Sequence, residues 1–121
     1  MKIKEFTIPI YQYDVSLIFS EGNDAEDVRK FLQDFECTHE DLDFVYNNIT
    51  EGCFNGGETF RNMKKRKFAA VFYLFSDELV RVNIICHEKR HIEDRLMEHI
   101  VVEDIEAAAY LAGFLAEKML S

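Results

Sequence analysis

His87 and His91 stand four positions apart with Glu88 beside the first, in the run His87-Glu88-Lys89-Arg90-His91. On an α-helix, residues at this spacing share a face, so both imidazoles can reach one metal ion while Glu88 stands near a water on it. This is the arrangement of a zinc hydrolase, in which the metal brings the pKa of its water toward about 7 and a carboxylate accepts the proton. The spacing therefore predicts His87 and His91 as metal ligands, Glu88 as general base and zinc as cofactor.

Hydrolytic zinc sites usually take three protein ligands and leave one position open. His99 is a poor third ligand, because eight residues of continuous helix carry it about 12 Å past His91 and no glycine turns the chain back. Glu106 is the better candidate. It opens the last helical segment on a face shared with Ala109, Tyr110 and Gly113, whose small members permit close approach to the helix of the motif. Glu103 is the fallback. For the oxyanion of a tetrahedral intermediate, Tyr46, Tyr73, Tyr110 and His39 are the candidate donors, and the sequence does not choose among them.

The elements that must position these groups follow from periodicity. Lys4 to Ile10 and Tyr13 to Phe19 read as two short strands around Pro9. Glu21-Gly22-Asn23-Asp24 supplies turn and cap chemistry for a helix over 24–35, with Val28, Phe31, Leu32 and Phe35 as its apolar stripe. The stretch from Cys37 to Glu51 is balanced between a short helix and a loop. Thr59 to Met63 and Phe68 to Phe75 read as strands joined by the basic turn Lys64-Lys65-Arg66-Lys67. The first of them is the candidate edge strand for an extended peptide, and the second, apolar on both faces, belongs in the centre of a sheet.

Ser76-Asp77 can cap a helix that begins near Glu78, carries the histidine motif in its middle and ends near His99. Ile84, His87, Glu88, His91 and Arg95 fall on neighbouring rows of one face of it. Ile100-Val101-Val102 connect to a last helix, with Glu103-Asp104 as acid at its start.

With these pieces in place, the chain resembles the H-E-x-x-H zinc peptidases whose third ligand is a glutamate on a following helix, the gluzincin arrangement. It is most similar to small metallopeptidases encoded by phages and bacterial mobile elements. The likeness rests on Ile85-Cys86-His87-Glu88-Lys89-Arg90-His91 and Glu106-Ala107-Ala108-Ala109-Tyr110-Leu111, and it covers the C-terminal third. The resemblance implies His87, His91 and Glu106 as zinc ligands, Glu88 as general base and a peptide or protein as substrate. The chain departs from such peptidases at Lys89 and Arg90, where they usually carry uncharged residues. That departure favours an alternative, a metallopeptidase-like module that binds or regulates without hydrolysis.

Composition narrows the rest. The 121 residues fit one domain, 1–121, with 48% hydrophobic and 31% charged residues. A net charge of -9 argues against a nucleic-acid partner. The apolar run Phe68 to Phe75 is far below the roughly 18 residues that span a bilayer, so no membrane partner is expected. The first residues lack an apolar leader, and the three cysteines, an odd number without C-x-x-C spacing, suit free thiols, so the expected setting is cytoplasmic. The expected fold is α+β: a small antiparallel or mixed sheet packed on helices, with the N-terminal strands and first helix as a scaffold under a two-helix metal site.

Overall fold

The computed structural model describes residues 1–100 and 105–121. Strands β1 (Lys2–Ile8) and β2 (Tyr13–Phe19) form an antiparallel hairpin that pairs Lys2 with Phe19 and Ile8 with Tyr13. Helices α1 (Ala25–Leu32) and α2 (His39–Thr50) follow, then the antiparallel pair β3 (Gly57–Asn62) and β4 (Lys67–Phe72). Helices α3 (Glu78–Ile100) and α4 (Ile105–Leu120) complete the described chain. The sheet order is β1-β2-β4-β3, and β2 and β4 run parallel, so the sheet is mixed.

The sheet is covered on both faces. Ile18, Ala69, Val71 and Phe60 pack with Val28 and Leu32 of α1 and Leu42, Val45 and Ile49 of α2. On the other face, Val15, Leu17, Phe68 and Phe72 pack with Ile85, Ile92 and Leu96 of α3 and Leu111, Leu115 and Met119 of α4. Successive side chains of a strand point to opposite faces, so β4, apolar at every position from Phe68 to Phe72, must be central, as its sequence predicts. The expected scaffold differs in layout: α1 and α2 do not lie under the helix of the motif but across the sheet from it.

Several element bounds differ from expectation. Helix α1 stops at Leu32, because the chain beyond it turns to bond with β3: Asp34 O accepts from Asn62 Nδ2 at 2.6 Å, and Glu36 N donates to Arg61 O at 2.7 Å. Phe35 still joins the same core from this connection. The ambiguous stretch after Cys37 is helix α2, opened by a capping box in which Thr38 Oγ1 accepts from Asp41 N and Asp41 accepts from Thr38 N. Strands β1, β3 and β4 are set back toward the N-terminus of their expected spans. Helix α3 begins as expected, with Asp77 Oδ1 accepting from Val80 N at 2.9 Å. All three cysteines are free. Among the described residues, no helix is long and apolar enough to cross a membrane.

Candidate functional site

Ile85, Ile92 and Leu96 fix the face that α3 turns to the sheet, and all three are fully buried. Glu88 lies one turn from both Ile85 and Ile92, so the same phase drives its carboxylate inward. It is 4% exposed. A buried carboxylate needs a donor, and Thr59 of β3 supplies one, Oγ1 to Glu88 Oε1 at 2.8 Å. Gly57 makes the space: a Cβ there would stand 3.1 Å from Glu88 Cγ and 3.1 Å from Val71 O.

His87 and His91 flank this row and are exposed, with Nε2 atoms 3.2 Å apart. Two imidazoles on one tetrahedral zinc, with Zn–N near 2.0–2.1 Å, hold their nitrogens about 3.3 Å apart. The separation suits a shared metal. Glu88 Oε2, the oxygen not bonded to Thr59, lies 3.9 Å from His87 Nε2. Ligand atoms of His87, Glu88 and His91 all fall within 4.8 Å of one another, and they are the one such group among the described residues.

These side chains open into a cleft of about 560 Å³ between α3 and the outer edge of β3. Gly57, Thr59 and Arg61 form its strand side, Arg95 continues the helix side, and Glu36 and Asp41 approach from the chain around α2. Glu58 also borders it, and burial, then the charges of Glu88 and Asp41, push its carboxyl above the usual range. A cavity of similar volume, 590 Å³, lies over β1 and β2, but four of its polar groups pair with one another: Thr7 donates to Asp14, and Asp34 accepts from Lys67. The cleft beside β3 is where imidazoles and a buried carboxylate converge.

The expected site residues divide accordingly. His87, Glu88 and His91 come together. Glu106 does not join them: it is exposed in the first turn of α4, and α4 packs over β1, at the opposite edge of the sheet from β3. Glu103 lies outside the described residues. The four candidate oxyanion donors are not among the residues lining the cleft. Tyr73 and Tyr46 belong to the core under α1 and α2, Tyr110 is exposed on α4, and His39 is exposed at the start of α2. Arg61 and Arg95 occupy the cleft instead. Arg95 was legible as the next turn of the His91 face, whereas Arg61 arrives only through strand pairing.

The two basic residues inside the motif also have partners. Lys89 pairs with the buried carboxylate of Glu93, and Arg90 reaches Glu93 at 3.5 Å and Asp94 at 3.1 Å. Their charges are answered along α3 itself. Comparison with known proteins returns no matching family model, no matching curated protein and no matching solved structure.

Proposed function

We propose that this chain is a zinc-dependent peptidase, with His87 and His91 as metal ligands and Glu88 as general base. The reading is carried by one observation: a helix presents two imidazoles 3.2 Å apart and a buried carboxylate to the open edge of a strand. Zinc held there would supply an electrophile for a carbonyl and a water of lowered pKa.

The chain's own groups account for the rest. Thr59 anchors Oε1 of Glu88, which leaves Oε2, on the side of the imidazoles, as the atom that accepts a proton from water and returns it to the leaving amine. The edge of β3 supplies backbone groups for an extended peptide. Tyr73 N donates to Gly56 O, which sets the alternation of the β3–β4 ladder: Glu58, Phe60 and Asn62 bond to β4, and Gly57, Thr59 and Arg61 turn their N–H and C=O outward. A peptide added at Gly57 and Thr59 lies directly against Glu88.

A second reading, a metal-binding or regulatory module without hydrolysis, is favoured by the makeup of the cluster. Glu88 is its one carboxylate, and a Glu88 that ligates the metal is not free to serve as base. Metal content by elemental mass spectrometry, beside cleavage of a mixed peptide library, separates the two. The peptidase reading expects near-stoichiometric zinc, lost in His87→Ala and His91→Ala, and Glu88→Gln that keeps zinc but cleaves nothing. Zinc lost with Glu88→Gln supports the module. Glu106→Ala is expected to retain zinc, given its place across α3 from the cleft. Failure of the wild type to bind zinc overturns both readings.

A further inference from the structure

The open edge of β3 is short, and its far end is closed. Three hydrogen bonds tie the connection between α1 and α2 to the end of β3. Glu36 N donates to Arg61 O at 2.7 Å, Asn62 Nδ2 to Asp34 O at 2.6 Å, and Met63 N to Glu36 Oε1 at 3.1 Å. The first of these occupies the outward carbonyl at which a peptide strand would otherwise continue past Thr59. Between Thr59, which holds Glu88, and Arg61, where the edge is capped, two residues of strand span about 7 Å. A substrate crossing Glu88 toward this end has room for one or two residues before it meets the connection.

The closed end carries two guanidinium groups that can receive a carboxylate, each facing one acid of the protein, Arg61 with Glu36 and Arg95 with Glu98. The acids there already serve the protein: Glu36 accepts from Met63 N and pairs with Arg61 Nε at 3.4 Å, and Asp41 caps α2. The guanidinium groups keep donors to offer. Arg61 meets Glu36 through Nε, leaving the Nη pair, and Arg95 contacts the exposed Glu98 through one Nη at 3.6 Å. A guanidinium carries five N–H donors in a fork that matches a carboxylate. Arg61 shares the α3-facing side of β3 with Thr59, and Arg95 lies one turn beyond His91, so both stand on the path from Glu88 to the cap.

We propose that the cleft takes the free carboxyl end of a peptide, held parallel to β3 with its terminal carboxylate on Arg61 and Arg95, and that the chain is a carboxypeptidase. This rests on the peptidase reading above. The reaction adds water across the last or penultimate peptide bond: the C–N bond breaks, oxygen joins the carbonyl carbon, and the amine leaves with a proton. The products are a shortened peptide with a new carboxylate and a free amino acid or dipeptide.

The experiment has two arms. In the first, zinc-loaded Glu88→Gln protein is titrated by fluorescence polarisation against an amino-terminally labelled hexapeptide, as the free acid and as the carboxamide. The free acid is expected to bind about tenfold tighter, and Arg95→Gln or Arg61→Gln to erase most of that preference. Arg95 is exposed at the helix surface, so its replacement keeps the test valid if Arg61→Gln fails to fold. Equal affinity for the two peptides, or binding of neither, overturns the carboxylate site whatever the activity.

In the second arm, zinc-loaded wild type meets amino-acetylated peptides ending in carboxylate or carboxamide, read by mass spectrometry. Loss of one or two residues from the free acid alone supports the proposal. Internal cleavage of the doubly blocked peptide overturns it while leaving the peptidase reading intact. Zinc binding without cleavage of any peptide overturns the peptidase reading and the carboxypeptidase with it.

Discussion

Thr59 on the edge strand donates its hydroxyl to Glu88 on α3, 2.8 Å from Oγ1 to Oε1, and this bond joins the two walls of the cleft. It fixes which carboxylate oxygen faces the imidazoles, so its loss should be felt in both stability and chemistry. Thr59→Val keeps the shape of the side chain and removes the donor, leaving a buried acceptor unpaired at a cost of about 1–3 kcal/mol. Urea unfolding of the two proteins measures it. Thr59→Ser, which restores a hydroxyl, should recover most of the difference, and an unchanged midpoint for Thr59→Val would show that the bond contributes nothing.

Gly57→Ala tests the space beneath Glu88. The added methyl would sit 3.1 Å from Glu88 Cγ, 3.1 Å from Val71 O and 3.2 Å from Phe72 Cδ1, and the carbonyl of the central strand cannot yield as a side chain can. Overpacking of this kind costs about 1–3 kcal/mol. A thermal melt should show a lowered midpoint, and because Glu88 is the most movable of the three contacts, zinc content should stay near wild type while hydrolysis falls.

Much of this layout was readable from side-chain periodicity. The run Phe68 to Phe72 marks a strand buried on two faces, and Ile85, Ile92 and Leu96 set the phase of α3 closely enough to place His87, Glu88 and His91 on one face. Helix α2 was equally encoded, by Leu42, Val45 and Ile49 and by the Thr38–Asp41 box, but the polar residues between them diluted the stripe. The parallel pairing of β2 with β4 was not readable, since alternation within a strand says nothing about its partner's direction. For the same reason Arg61 could not be assigned to the cleft and Glu106 could not be kept out of it. Both positions depend on which edge of the sheet each element reaches.

Lys89 and Glu93 form an ion pair with both side chains largely buried, 15% and 7% exposed. Breaking it from one side should be far worse than removing it whole. Glu93→Ala strands the ammonium of Lys89, at a cost of about 3 kcal/mol or more, whereas Lys89→Met with Glu93→Leu replaces two desolvated charges by apolar contacts and should come close to wild type. Denaturant titrations of the single and double variants read the difference directly. The double variant should also keep zinc, because neither side chain lines the cleft; loss of zinc from a folded double variant would tie the pair to the site.

Tyr73 sets an alkaline limit on stability. Its phenol is 5% exposed, and burial raises its pKa from 10.0 to about 12, partly offset by the hydrogen bond from Asn48 Nδ2 and reinforced by the nearby charge of Glu58. The folded protein therefore holds this proton more tightly than the unfolded chain does. Below about pH 10 both states keep it and the contribution is whole; as pH rises from 10 to about 12 the unfolded chain sheds it first, so stability falls with rising pH over that window. Tyrosinate absorbance should show one of the five tyrosines titrating late. Tyr73→Phe should lose that late step and flatten the decline in melting temperature above pH 10, leaving the slope set by the other titrating groups; a variant whose decline matches wild type would assign the alkaline loss elsewhere.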